Sequence, residues 1–497
     1  MDRAPLEIIS AIVRELLGYE FKKESVADYA TLNWTWRVAV EANTFRQFTL
    51  HSPDFGAFAT MYAEENVMRR TYMRELIIYM ELPHLEESCI LANRPDRKAD
   101  GLHFTTQLNR LFSILSDISS RCSKPSPSIC LAFNSETRPS SSRHLNGEYT
   151  NAVADAGFYQ IDHPERLPHV PNVREFRFSS YYGQGLYWLH KRCAGEIMAK
   201  CDSLEKVHFK FRDPYKWGEY LRKQQRAYIS EGLCLINTDN LKQAKIEIQH
   251  EGMDNESLDV HKVATLHDPL RTALWHLALL PQLAVLHLTG PVPVTPEFFS
   301  TTNLEAGINI FPALQELFVE ISAETADGRW YFIRDEELYE IERSDPDGEL
   351  VSDSDDDQRS ADSTSGTAVY GTGPERIGWE YINRFRCLPN PETVTPLLTH
   401  AASAAMRMKR MRKMTLHLTG GKGWLYPTTA WYANRRFELQ YVKQGTARDI
   451  GNRDELKAEQ EHRDCIYWRV GKWRPAKDVQ HAWDEVIGSS GKMIFLA

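Results

Sequence analysis

The chain lacks any run of about eighteen apolar residues, the length that a bilayer-spanning helix needs, so no membrane span is expected. It also lacks a charged-then-apolar leader: its first apolar residues are amphipathic and begin at once. Cytoplasm or nucleus is the expected compartment. Cysteine is sparse and scattered. The eight residues Cys89, Cys122, Cys130, Cys193, Cys201, Cys234, Cys387 and Cys465 include no CxxC pair. Buried free thiols are expected, with neither a disulfide framework nor a zinc site. The seventeen histidines contain no HExxH and no close His/Cys/Asp cluster, which leaves a metal centre without ligands. No GxSxG elbow occurs, so a serine hydrolase has no support. Gly420-Gly421-Lys422-Gly423 lacks the Ser or Thr that a phosphate-binding loop places after its lysine, and a turn following a strand near Leu418 explains it better. No cofactor is implied, no residue is a candidate for catalysis, and the chain does not read as an enzyme.

Positive charge is not in excess either. The net charge is −9. Residues 335–363 hold thirteen acidic side chains against Arg343 and Arg359, a local net of −11, which leaves +2 for the rest. Nucleic acid is therefore not an expected partner. The acidic stretch includes Ser352-Asp353-Ser354-Asp355-Asp356-Asp357 and continues into a Ser/Thr/Gly-rich run. So little apolar surface cannot offset ordering entropy, and a disordered insertion is predicted at about 335–374. Ser352 and Ser354, set among carboxylates, are candidate sites for acid-directed kinases; each phosphate would add roughly −1.5 to −2 charges. The basic run Arg407-Met408-Lys409-Arg410-Met411-Arg412-Lys413 reads as a charged helix-to-strand junction with its methionines buried, in preference to a nuclear import signal.

What the chain does have is patterning. Hydrophobic residues make up 42% of its 497 positions, enough for one large core or two to three ordinary ones. Near the start, Pro5 sits at a helix-opening position with Glu7 in the first turn. Ile8, Ile9, Ile12, Val13 and Leu16 then mark one helical face. A second apolar helix is predicted from about Val26 to Val40, carrying Tyr29, Leu32 and Trp36.

Further on, one short pattern recurs: an apolar anchor, two spacers, then apolar residues alternating with polar ones. It reads Met73-Arg-Glu-Leu76-Ile-Ile78, Val173-Arg-Glu-Phe176-Arg-Phe178, Leu204-Glu-Lys-Val207-His-Phe209 and Leu241-Lys-Gln-Ala244-Lys-Ile246. Leu283 to Leu288, Leu314 to Val319 and Met411 to Leu416 continue it, and Ile129, Leu131 and Phe133 form a further strand. The alternation buries one face of each strand. Helical stretches lie between, at Leu102 to Ile118, Tyr187 to Met198, Tyr215 to Ile236, Pro269 to Ala278 and Pro391 to Met406. Anchors from Val173 onward are spaced by 31, 37, 42 and 31 residues. A strand–helix unit of that length cannot bury its own apolar face and must stack on its neighbours. The expected fold is α/β: an N-terminal helical module followed by an irregular leucine-rich-repeat-like solenoid, with parallel strands inside and helices outside. Past Trp424 the repeat stops. Phe437 to Tyr441 and Cys465 to Val470 alternate like strands, and Pro475 to Val486 reads as a last helix, together a capping segment.

Pro5, Glu7, Ile8, Ile12 and Leu16, followed by Leu32-Asn33-Trp34-Thr35-Trp36, resemble the F-box, a three-helix module that docks onto the Skp adaptor of cullin-type ubiquitin ligases. Ala4 stands where that family usually has Leu. The early Arg-Glu-Leu strand, the Asp268-Pro269-Leu270 helix start, the acidic break and the late Trp468-Arg-Val-Gly-x-Trp-Arg-Pro475 segment extend the resemblance to a group of fungal F-box proteins. It implies an F-box-like module over 1–50, a solenoid over 51–424 with the acidic insertion inside it, and a cap over 425–497. It also implies a substrate receptor of an SCF (Skp–cullin–F-box) ligase. Pro5, Ile8, Ile9, Ile12, Leu16 and Trp36 would then face the adaptor, and through it the cullin, while the solenoid binds a target protein. The competing expectation is an interaction scaffold with a degenerate F-box, outside any ligase. Trp330, Trp379, Trp431 and Trp473 are further candidate anchors for a partner.

Overall fold

The computed structural model describes residues 4–18, 24–62, 67–83, 96–121, 128–137, 158–181, 184–185, 189–213, 219–250, 269–292, 294–300, 311–336, 386–419, 436–448, 462–471 and 473–496. It is mixed α/β, with open, mostly parallel sheet. The chain divides into two compact units, Met1–Lys210 with Glu231–Leu241, and Phe211–Ser230 with Lys242–Ala497.

The first unit opens with three helices, α1 (Leu6–Gly18), α2 (Glu24–Tyr29) and α3 (Trp34–Thr44). The continuous helix expected from Val26 to Val40 is thus two helices. Asn33 interrupts it with extended backbone (φ −167°), and its side-chain oxygen accepts from the Trp36 N–H at 3.0 Å, capping α3. Ser, Thr, Asp and Asn favour that role because a short polar side chain replaces the missing helical acceptor.

Strand β1 (Gln47–His51) follows, then α4 (Phe55–Met61), α5 (Val67–Tyr72), β2 (Glu75–Glu81), α6 (Arg97–Ser120) and β3 (Ile129–Thr137). Next come β4 (Val173–Tyr181), the short β5 (Gln184–Gly185) and α7 (Lys191–Met198). β1 to β4 pair side by side and parallel, with β5 parallel to β3 and antiparallel to β4. The module boundary expected at residue 50 therefore falls inside a sheet strand. Leu76, Ile78, Met80, Leu131, Phe133, Phe176 and Phe178 point to one face and are buried. Leu108, Leu111, Phe112 and Leu115 of α6, which packs on β2, are fully buried as well. The division between units falls within β6 (Lys206–Asp213) and α8 (Glu219–Leu235).

The second unit contains β7 (Gln243–His250), α9 (Pro269–Ala278), β8 (Val285–Val292), β9 (Glu316–Ile321), β10 (Phe332–Arg334) and β11 (Arg386–Pro389). It continues with α10 (Pro391–Arg407), β12 (Lys413–Thr419), β13 (Arg436–Val442), β14 (Cys465–Arg469), α11 (Lys477–Ile487) and β15 (Lys492–Leu496). β7, β8, β9 and β12 run parallel in that order. The sheet then continues through β13 and β14 by antiparallel pairing and ends on β15, parallel to β14. The segment expected as a cap thus extends the sheet. β15 follows the turn residues Gly488-Ser489-Ser490-Gly491 but lacks the repeat anchor that marks the earlier strands. Trp468 and Trp483 are fully buried where α11 packs on β14, and on the opposite face Val442, Cys465 and Tyr467 form a small cluster with Ile494 and Leu496. Apart from this sheet, β10 and β11 make an antiparallel ribbon that pairs Ile333 with Leu388 and Arg334 with Arg386. The acidic insertion, from residue 337 onward and including Ser352 and Ser354, lies outside the described residues, as do Asp268, Gly420–Gly423, Trp379 and Trp431.

Candidate functional site

Two kinds of surface stand out, and the N-terminal module of the first unit is the more distinctive. Its core is made by Ile9, Val13, Val26, Trp36, Ala39 and Val40, with Ala4, Leu16, Leu17 and Ala30 packed around it. Trp36 stacks on Tyr29, ring centroids 5.5 Å apart at 25°. The Pro5 carbonyl accepts from the N–H groups of Ile8 and Ile9 at 3.1 and 3.2 Å, so proline opens α1 where its own missing N–H costs nothing. Glu41 of α3 accepts from Arg37 at 3.3 Å and from Arg69 of α5 at 3.0 Å, and the Arg69 guanidinium lies 4.7 Å over the Phe45 ring. The module is thereby fastened to the elements that follow it.

With the core satisfied internally, a second apolar set is left on the outside. Ile8 is 53% exposed, Trp34 67% and Leu32 60%, and Leu6 and Ile12 are exposed too. Of the six residues expected to face an adaptor, Pro5, Ile8 and Ile12 are exposed. Ile9 and Trp36 are core, and Leu16 is half-buried against that core. The outward positions Leu6, Leu32 and Trp34 were not among those six. Their signal was available in the period of α3: Trp36, Ala39 and Val40 are spaced i, i+3, i+4 on the inner face, which turns Trp34 outward.

The second surface is the strand face opposite the helices. Parallel sheets are usually covered on both faces; here the second face carries ion pairs and hydrogen bonds on β2 to β4 and on β8, β9 and β12, and turns apolar at the cluster of Val442, Cys465 and Tyr467. In the first unit Arg177 bridges Glu75 at 2.8 Å and Glu175 at 2.7 Å across β2, β3 and β4. His51 stacks on Tyr79 at 4.9 Å, and Asn134 donates to the Tyr79 hydroxyl. In the second unit Glu316 accepts from His287 and from Lys413, each at 3.0 Å, tying three parallel strands. The His287 hydrogen bond, with the Lys413 charge, outweighs burial and holds the Glu316 carboxyl down at about 2.

Three of the described cysteines are held as thiols by burial, while Cys234 is free and exposed. Burial, reinforced by Glu175, pushes the Cys130 thiol up to about 12, and burial raises Cys193 and Cys201 further. Burial beside Lys191 and Arg192 lowers His190 to about 4. Among the described residues no group of three or more His, Cys, Asp or Glu is arranged to hold a metal ion, and no helix is long and apolar enough to cross a membrane. Trp330 is buried beneath the Arg386 guanidinium, 4.9 Å from its ring, and Trp473 packs on Phe437. Neither is a free anchor. No protein-family model matches the chain, and a search of the curated proteins gives no match.

Proposed function

We propose that the protein is the substrate-recognition subunit of an SCF-type ubiquitin ligase. Its N-terminal helices would dock as an F-box into the apolar groove of the Skp adaptor, and through it reach the cullin. Its leucine-rich-repeat-like region would hold a target protein on the open strand face. The observation that carries this reading is the exposed apolar set Leu6, Ile8, Ile12, Leu32 and Trp34 on a small helical module that already has its own core. Exposed large apolar groups of this kind mark docking surfaces, and a few such anchors each contribute on the order of 2 kcal/mol to a helix-in-groove complex. Catalysis would be by proximity, a target lysine being held near a charged conjugating enzyme. Cytoplasm or nucleus is the compartment such a role requires.

The test is a pull-down of the Skp adaptor with the intact chain beside the Ile8→Asp, Ile12→Asp double variant. Binding by the intact chain and loss in the variant, with its circular dichroism unchanged, is the expected result. Failure of the intact chain to bind rejects the reading. A second reading, a scaffold outside any ligase, is favoured by Ala4. It packs half-buried against the module's core, so the module presents less apolar surface than a Leu would give there. Adaptor binding without recruitment of the cullin separates this reading from the first.

A further inference from the structure

The run 407–413, where α10 ends and β12 begins, has two sides. Met408 and Met411 are buried, and the Met411 N–H donates to the Met408 carbonyl at 2.9 Å. Arg407, Lys409, Arg410 and Arg412 are exposed. The Arg412 N–H donates to the Gln315 carbonyl and the Lys443 N–H to the Arg412 carbonyl, each at 2.8 Å. Exposed Gln315, Arg412 and Lys443 therefore stand in one row at the same end of β9, β12 and β13, about 5 Å from strand to strand. None of the side chains of Arg407, Lys409, Arg410, Arg412 and Lys443 takes part in an ion pair among the described residues. The neighbouring carboxylates are engaged elsewhere: Glu316 by His287 and Lys413, and Asp464 by the Tyr441 hydroxyl and the Gln444 N–H.

Internal roles leave most of this charge unexplained. A cation in the last turn of a helix is stabilised by the helix dipole, an effect that fades beyond that turn. Arg407 holds that place in α10, and the other four cations lie past it. Uncompensated cations gathered on one small surface repel one another and form a local positive field that an anionic partner relieves. Two features select a protein segment over a nucleic acid. The large exposed aromatic side chains among the described residues are Tyr29 and Trp34, both in the N-terminal module, so the basic surface offers no ring on which bases stack. Met406, the residue before Arg407, is 46% exposed, and its flexible thioether adapts to an apolar side chain.

We propose that the basic surface formed by Arg407, Lys409, Arg410, Arg412 and Lys443, with Met406 at its margin, is a docking site for an acidic segment of another protein, one that carries an apolar residue among its Asp and Glu side chains. The cations pair with the carboxylates, and Met406 receives the apolar residue. The surface belongs to the second unit. The proposal does not rest on the ligase reading, which is carried by the N-terminal module of the first.

The experiment is fluorescence anisotropy with a labelled synthetic peptide of alternating Glu and Asp around one central Leu, titrated with the full chain at about 50 mM salt, where surface charges are weakly screened. The intact chain should bind it saturably. Lys409→Glu with Arg410→Glu, exposed positions that leave both buried methionines in place, should weaken binding at least about tenfold. Arg14→Glu with Lys98→Glu makes the same change in net charge at exposed positions of the first unit, and should leave binding within about twofold. Exchanging the central Leu of the peptide for Ser should weaken it about threefold; no change would remove Met406 from the site. Absence of binding by the intact chain would overturn the proposal. So would binding that survives Lys409→Glu with Arg410→Glu, or an equal loss in the Arg14→Glu, Lys98→Glu chain, which would make the attraction a property of net charge alone. A single-stranded oligonucleotide of equal charge should bind more weakly than the peptide, and tighter binding by it would overturn the assignment to a protein segment. Matching thermal melts of the variants exclude unfolding as the cause of any loss.

Discussion

The backbone of Gly195 in α7 runs so close to that of Gly232 in α8 that a Cβ built on Gly195 would stand 1.9 Å from the Gly232 carbonyl oxygen. The obstacle is main chain, so no side-chain rotation relieves it. Gly195→Ala must push the two helices apart and disturb Cys193, Ile197 and Leu233, which are buried around the crossing. Overpacking of this kind costs typically 1–3 kcal/mol, and more where backbone has to move. We expect Gly195→Ala to destabilise the first unit by about 3 kcal/mol in urea unfolding. Gly445, at φ +73° with open space around it, is the control of opposite kind. There the cost of Ala is local backbone strain, about 1 kcal/mol.

Adjacent residues of α1 should respond oppositely to the same substitution. Ile9 is 1% exposed and Ile8 is 53%. Ile9→Asp buries an unpaired carboxylate in the module's core, and the three helices should unfold in hydrogen exchange or limited proteolysis. Ile8→Asp puts the charge into water and should change stability by less than about 0.5 kcal/mol. Comparable destabilisation by both would mean that Ile8 is covered in solution.

Glu316 makes the second unit's stability depend on acid pH. Its carboxyl falls from 4.5 to about 2 in the folded protein. A group whose folded value is depressed contributes stability that is fully present above its unfolded value and lost as pH falls through the folded one. The contribution is therefore complete above about pH 5 and disappears toward pH 2. With its side chain 30% exposed, solvent screening reduces the nominal gain to about 1–2 kcal/mol. Glu316→Gln should be less stable than the parent by that amount at pH 7. The gap should narrow below pH 4.5 and close near pH 2, as followed by urea unfolding at each pH.

What was legible in the chain follows from where one rule acted alone. The strands at Val173, Leu204, Leu241, Leu283, Leu314 and Met411 each bury alternate side chains, so alternation marked them. The basic run was readable for the same reason, since Met408 and Met411 had to be inside if Arg410 was outside. β1 was hidden because Phe48 and Leu50 continue the apolar pattern of the helices before it, and only pairing with β2 makes it a strand. The candidate site was half legible. Helical period placed Ile8 and Ile12 on a face but could not tell the inner edge of that face from the outer, which depends on where α3 packs. Ile9, Leu16 and Trp36 went inward for that reason.

The helix break at Asn33 was missed because local apolar content favoured one long helix, whereas a single side-chain hydrogen bond decides for two. The Thr31 hydroxyl donates to the Asp28 carbonyl, ending α2, and the Asn33 oxygen accepts from the Trp36 N–H, starting α3. Ala at 33 leaves that N–H without its cap acceptor at a part-buried site, and loss of an N-cap costs about 1 kcal/mol. Asn33→Ala should lower the module's stability by that amount, while Asn33→Asp, which keeps an acceptor and adds a negative charge at a helix N-terminus, should match or exceed the parent. Because Leu32 and Trp34 flank the cap, the same substitution should also loosen the outward apolar set. Hydrogen exchange at the amides of Thr35 and Trp36 reads both effects together. If Asn33→Ala leaves their protection unchanged, the cap is not what orients Trp34, and the packing of Trp36 on Tyr29 alone holds the start of α3.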